Sequence, residues 1–255
     1  MRNFYLSFII LFAAVFSSCS NIYIPALYHQ DIVYQPKPAS WDSTKRATYV
    51  SIGYNDNNGA NTADDLGSGQ LNIGQAYTGK NFNIAYGVFG VAGNYTRDTA
   101  FSGKGVGDFN NKFFGAVGGR FSANLYTHSG RVDFRYLGIE AAYSHEFGSY
   151  AGFRRSIADN PDFDVDPRTD LVSLGLTSEV LFHRRRDNNF ENGFRFFLGG
   201  TFGSNYPSYD GVILPGRASS FSQQFVKINY FFRYKKYFGT AELGDGLFLR
   251  FGIQL

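Results

Sequence analysis

Toward the end of the chain, apolar side chains recur at every second position. Leu243, Leu247, Leu249, Phe251, Ile253 and Leu255 alternate with Gly244, Gly246, Phe248, Arg250, Gly252 and Gln254, and Asp245 is the one polar member of the first set. Just before, Val226, Ile228, Tyr230, Phe232 and Tyr234 alternate with Lys227, Asn229, Phe231 and Arg233. A period of two is the signature of a β-strand with two unlike faces. The same pattern runs from Ala47 onward and predicts strands at 47–56, 69–78, 82–97, 112–126, 131–148 (extendable to 157), 170–184, 192–205, 220–236 and 240–255. Long polar connections at 57–68, 98–111, 158–169 and 206–219 take turns with tight ones at 78–81 and 127–130, while 184–192 is of middling length. Nine strands is an odd number for a barrel whose strands run up and down in turn. Either the segment before residue 47 supplies one more or 131–157 divides, for a total of about 8–10.

Alternation does not say which face meets solvent, but the chemistry of the second face does. On 112–126 it carries Phe114, Ala116, Gly118, Arg120, Ser122 and Asn124. On 131–148 it carries Gly138, Glu140, Ala142 and Ser144, and on 170–184 Ser173, Gly175, Thr177 and Glu179. A water-facing surface is usually crowded with Lys, Glu and Asp. Small residues with about one charge per strand suit the lumen of a narrow barrel, where opposite charges pair. Arg120, Glu140, Glu179, Arg195, Lys227 and Arg250 are therefore expected to form a lumenal network that plugs the barrel. Tyr54, Tyr77, Tyr95, Tyr126, Tyr143, Phe182, Tyr206, Tyr234 and Tyr237 stand near strand ends, as interfacial girdles require.

Composition supports strands over helices: aromatics are 18% of 255 residues and Gly numbers 30. A formal charge of +3 is too weak to suggest a nucleic-acid partner. The single cysteine excludes an internal disulfide framework. After the leader there is no apolar run of eighteen residues, so entry into a membrane would need a closed barrel.

At the start, Arg2 and the apolar run Phe4–Phe16 predict a signal peptide over 1–18. Phe16-Ser17-Ser18-Cys19 resembles a bacterial lipobox, which implies that Cys19 becomes the first mature residue and carries acyl chains. Residues 19–46, with Pro25, Pro36 and Pro38, are expected to form a lipidated tether, and 47–255 the barrel. The Cys, aromatic, Pro pattern after the leader is similar to that of small lipid-modified outer-membrane barrel proteins of Bacteroidota type, of the OmpA/OmpW-like barrel class. The last strand resembles the closing strand of such barrels, with Leu255 where their terminal aromatic stands. The resemblance implies a cell outer-membrane location. Ser20-Asn21-Ile22 lacks the acidic residues of those relatives' surface-export signal, which places the lipid on the periplasmic leaflet.

Candidate chemistry is sparse. Ser144-His145-Glu146 has nucleophile, base and acid types, but neighbours on a strand point to opposite faces. His183 before Arg184-Arg185-Arg186 fits a strand end, and His29 and His128 show no metal-ligand spacing. Asp159–Asp166 offers alternate carboxylates without the Gly and Glu of a calcium loop, so a solvated loop is expected, as at Asp64-Asp65. Gly103–Gly107 lacks the strand–loop–helix setting of a phosphate cradle. No catalytic residue, metal or cofactor is expected. The expected role is structural or accessory, with outer-membrane lipid and a larger cell-envelope assembly as partners. A narrow channel or small-ligand barrel and a lipid-modifying enzyme are the alternatives.

Overall fold

A computed structural model describes residues 21–58, 64–97, 111–160, 163–183, 189–202 and 221–255. Its elements in chain order are β1 (Asn21–Tyr23), β2 (Arg46–Asn58), β3 (Asp64–Thr78), β4 (Phe82–Arg97), β5 (Lys112–Ser129), β6 (Val132–Phe147), α1 (Ser149–Ile157), β7 (Phe163–Val165), β8 (Asp170–His183), β9 (Phe190–Phe202), β10 (Phe221–Tyr234), β11 (Tyr237–Leu243) and β12 (Gly246–Gln254). Ten strands close an antiparallel barrel in the order β2-β3-β4-β5-β6-β8-β9-β10-β11-β12. The seam pairs β12 with β2, from Gly246 opposite Asn57 to Gln254 opposite Tyr49. Short β1 pairs in parallel with β7 as a separate ribbon.

The tenth strand comes from neither expected source. The final stretch, expected as one strand over 240–255, is two, β11 and β12, joined at Gly244-Asp245. Leu243 pairs directly with Leu247 across this hairpin. Residues opposite each other share a face, and a separation of four keeps odd positions outward on both strands. The alternation therefore runs unbroken through a reversal of the chain. The extension of 131–148 to 157 is also corrected, because Ser149–Ile157 is helix α1. Its buried Tyr150, Ala151 and Arg154 lie on one face, and Arg154 and Arg155 sit in its last turn, where cations favour the helix dipole.

The wall's polarity is the reverse of a water-soluble barrel's. Ile52, Val88 and Phe251 are each more than 60% exposed on the outside, along with aromatic and aliphatic residues of every barrel strand. Arg135, Arg154 and Arg195 are among the largest fully buried side chains. Of the expected girdle, Tyr54, Tyr77, Tyr143, Phe182, Tyr234 and Tyr237 face outward. Tyr95 and Tyr126 do not, because each shares the inward parity of its strand. The Tyr95 ring stacks on Tyr150 at 4.3 Å, and the Tyr126 hydroxyl donates to the Gly79 carbonyl at 2.7 Å. Tyr206 lies outside the described residues.

A bulge in β6 explains one further departure. Pairing with β8 steps from Arg135 opposite Glu179 to Gly138 opposite Thr177, which leaves one extra residue on β6. Tyr136 and Leu137 consequently both face outward, and Asp133 and Arg135 turn inward on the opposite parity from Glu140. Higher up, the wall is close-packed around a missing side chain. A Cβ on Gly118 would lie 2.3 Å from the Tyr143 carbonyl oxygen and 2.4 Å from Phe89 Cζ. Gly118→Ala is expected to cost about 1–3 kcal/mol, read as a lower midpoint of the heat-induced gel shift of the folded barrel.

The largest correction concerns residues 21–46 of the stretch expected as a tether. From Ile22 to Ala39 almost every residue is buried, with Tyr23, Asp31 and Ala39 fully so. This segment runs through the lumen. It enters at the end with the long connections, where β1 lies on β7 beneath α1. It leaves at the opposite end, where the Thr78 N–H donates to the Lys45 carbonyl at 2.8 Å and Trp41 packs 5.0 Å from the His183 ring. Three apolar clusters line its path. Tyr23, Ala26 and Leu27 pack with Phe89, Tyr95 and Phe114 at the entry. Ile32 packs with Phe197 and Phe225 in the middle, and Tyr34 with Tyr49, Phe231 and Phe238 near the exit. The segment is a plug.

Candidate functional site

An extended segment inside a barrel has no ladder of its own, so its buried backbone groups need other partners. Pro25, Pro36 and Pro38 have no N–H to satisfy. The carbonyls are met by cations of the wall. Arg120 donates to the Asp31 carbonyl, Lys227 to that of Ile32 at 2.8 Å and Arg250 to that of Tyr34. Arg135 reaches the carbonyls of Lys37 and Pro38 at 3.3 Å each, and the Thr78 hydroxyl adds a bond of 2.6 Å to Pro38. The plug's N–H groups are met by carboxylates. Ala26 donates to Glu146 at 2.6 Å, Tyr34 to Glu242 at 3.2 Å and Ser40 to Asp133 at 2.6 Å. The lumenal charges thus form a surface that binds a peptide backbone.

All six residues expected in the lumenal network are buried; four of them enter ion pairs, mostly with partners absent from that set, while Arg120 and Arg250 bond carbonyls of the plug instead. Arg195 pairs with Glu140 and, at 3.1 Å, with Glu242, which also holds Lys227 at 3.1 Å. Glu179 binds Arg135 at 2.6 Å and the plug's Lys37 at 2.8 Å. Arg120 lies 3.7 Å over the Phe89 ring and bonds Asn72. Glu242, Arg135 and Lys37 are the members that sequence reasoning missed. Glu242 sits just before the unrecognised hairpin, Arg135 below the bulge, and Lys37 in the supposed tether.

Both ends of the plug are clamped. At the entry, Glu146 accepts from Ala26 and from Arg154 of α1, and Arg154 also donates to the Asp166 carbonyl at 2.6 Å. His29 lies between the Tyr28 and Phe225 rings and bonds Asp245 at 2.7 Å. That bond holds the Asp245 carboxyl below its ordinary range. At the exit, Arg233 binds Asp42 at 2.6 Å and Glu191 at 2.8 Å. The spaces left inside are small. The void beside Gln35 and Pro36 holds about 30 Å³, the one beside Leu27 about 10 Å³, and none remains beside Tyr34.

The enzyme-like candidates do not converge. Ser144 is buried in the lumen, whereas His145 is on the outer face, 2.9 Å from Asp170. Ser40, His128 and Asp133 gather near the exit, but Ser40 Oγ donates to Asp133, and the same His128 nitrogen, Nδ1, lies 2.8 Å from both. A relay needs the two imidazole nitrogens to face different partners. Asp166, from the acidic segment, is bound to Arg168 at 3.0 Å, and among the described residues no group of three metal-ligating side chains comes together. Cys19, Gly103–Gly107, Asp162 and Arg184–Arg186 lie outside the described residues.

No family model matches the chain, and no curated protein matches it. Several solved structures are similar at low identity. The β-domain of the Bordetella autotransporter BrkA is 10% identical with a TM-score of 0.45, over 83% of this chain and 99% of that one. The translocator domain of the autotransporter NalP from Neisseria meningitidis is 10% identical with a TM-score of 0.32, over 84% and 89%. The monoaromatic hydrocarbon channel TodX is 7% identical with a TM-score of 0.30, over 82% and 66%. At these identities the likeness is one of fold alone.

Proposed function

We propose that this chain is a self-plugged outer-membrane β-barrel with a structural or accessory role in the cell envelope, not a pore and not an enzyme. The observation that carries the reading is the lumen, through which the largely buried residues 22–39 run, with voids beside Gln35, Leu27 and Tyr34 of about 30 Å³, about 10 Å³ and none. The apolar outer wall supports insertion in a bilayer, because a closed barrel is the one sheet that leaves no backbone edge in lipid. Long connections at one end, the two-residue Gly244-Asp245 hairpin excepted, and short ones at the other support the usual orientation, long side outward. On that orientation the plug enters from outside.

Two measurements test this reading. Reconstituted in a planar bilayer, the full chain should give no discrete conductance steps, and regular steps would restore the channel reading. Ser144→Ala and His145→Ala should leave the lipid A profile of expressing cells unchanged while the barrel keeps its heat-modifiable mobility. A profile altered by either substitution would support the enzyme reading.

A further inference from the structure

Among the described residues, the exposed side-chain charges at the end with the short connections are of one sign. Lys45, Arg46, Lys80, Arg131, Lys235 and Lys236 are exposed there. The acids at this end among the described residues are already engaged: Asp42 and Glu191 with Arg233, and Asp133 with Ser40 and His128. The opposite end instead exposes Asp56, Asp65, Asp159, Asp170 and Asp245, alongside Arg155. A basic rim bordering an apolar wall attracts anionic lipid, at a strength that grows with each lysine or arginine near the surface.

One place on that rim is shaped as well as charged. A cleft of about 390 Å³ opens between the plug's exit and the β3–β4 turn, lined by Trp41, Lys45, Tyr77, Lys80, Tyr126 and His128 among others. Its volume falls within the range of sites that hold a small organic group. Lys45 Nζ donates to the Ser40 and Asp42 carbonyls at 2.6 and 2.7 Å, which fixes the ammonium at the mouth with a third proton to give. Lys80 stands exposed on the turn, and Tyr126 and His128 close the floor through their bonds to Gly79 and Asp133. Beside the mouth, the outward rings of Tyr77 and Phe82 lie 6.0 Å apart, with Leu125 opposite Phe82. Cations at the aqueous rim and rings directly beside them on the wall match the two parts of one lipid molecule.

We propose that this cleft binds the phosphate headgroup of an anionic glycerophospholipid, with Lys45 and Lys80 on the phosphate and the acyl chains along Tyr77, Phe82 and Leu125. The proposal rests on the membrane reading above and adds a specific lipid contact to it. Soluble phosphate esters share the headgroup's chemistry, so the test must separate the two sources.

Native mass spectrometry of the full chain in detergent, titrated with phosphatidylglycerol, phosphatidylcholine or glycerol phosphate, does so. Phosphatidylglycerol is expected to bind at least tenfold tighter than phosphatidylcholine, and K45Q/K80Q to lose about tenfold of that affinity. The control K235Q/K236Q removes the same charge from the β10–β11 turn on another part of the rim and should lose no more than about twofold. Equal losses in both double variants, or no preference for the anionic lipid, would overturn the site. Glycerol phosphate binding as tightly as the lipid would also overturn it and point to a soluble phosphate ester. Retention of the heat shift by each variant establishes the folded barrel independently, so failure of the lipid site and failure of the membrane reading give different results.

Discussion

A mature chain that begins at Ser40, and so lacks the plug, is expected to conduct ions where the full chain is silent. The barrel wall does not need the missing segment to complete its sheet, because all ten strands lie between Arg46 and Gln254. What disappears is the set of partners for the lumenal charges. Arg120, Lys227 and Arg250 lose the carbonyls of Asp31, Ile32 and Tyr34, and Glu179 loses Lys37. Charged groups in that position draw water in, since leaving them dry and unpaired costs far more than hydrating them. Water-filled and lined by both signs of charge, the lumen becomes a path. Discrete conductance steps in a planar bilayer, from protein that still shows the heat shift of a closed barrel, are the expected result. Silence from such a folded variant would mean that wall side chains or the long connections block the lumen by themselves.

Glu179→Ala is expected to cost about 3–5 kcal/mol of barrel stability, the largest effect of any single substitution considered. Its carboxylate is the shared counter-charge of Arg135 on β6 and Lys37 on the plug, at 2.6 and 2.8 Å, and all three side chains are buried to within 1%. Removing it strands two cations in the lumen. The cause is separable from simple loss of volume. Glu179→Gln keeps the shape and should lose most of the same stability. Adding Lys37→Met to Glu179→Gln takes away one of the stranded charges and should recover a measurable part of it, since coupled groups give non-additive changes. Urea titration of the tryptophan signal from Trp41, which packs against His183 at the plug's exit, reads both quantities. If Lys37→Met gives no recovery in the Glu179→Gln background, the buried pair is not what holds the plug at that depth.

Much of the barrel was legible in the chain because a period of two is a strong local signal and an inverted barrel writes it on every strand. The inward placement of Arg120, Glu140, Glu179, Arg195, Lys227 and Arg250 needed the small, sparsely charged chemistry of the second face as well. Three features escaped for physical reasons. The hairpin at Gly244-Asp245 preserves parity, so alternation alone cannot see the reversal, and only Gly-Asp-Gly marked it. The bulge at Tyr136-Leu137 inserts one residue, which hid Arg135 and Asp133 on the wrong face. The plug left no periodic trace at all, since an extended segment surrounded on every side has no exposed face to alternate with. Its prolines looked like those of a linker, and the matching evidence lay more than a hundred residues away, in wall carboxylates such as Glu146 and Glu242.

Enclosure of the plug also has a consequence for how the molecule is made. Residues 22–39 are surrounded by a ring that is complete only when β12 pairs with β2, so the earliest part of the described chain is secured by its last strand. Tyr34 meets Glu242 and Arg250 across more than 200 positions of sequence. Contacts of such separation carry the full entropy of loop closure before they return anything, which makes their formation slow. Until the seam forms, the plug can leave sideways through the gap. Afterwards it can move only along the barrel axis, against the clamps at both ends. A ring closed around an empty lumen would have to admit the plug end-on. The order of events therefore favours a plug already lying against the open sheet when the final strand arrives.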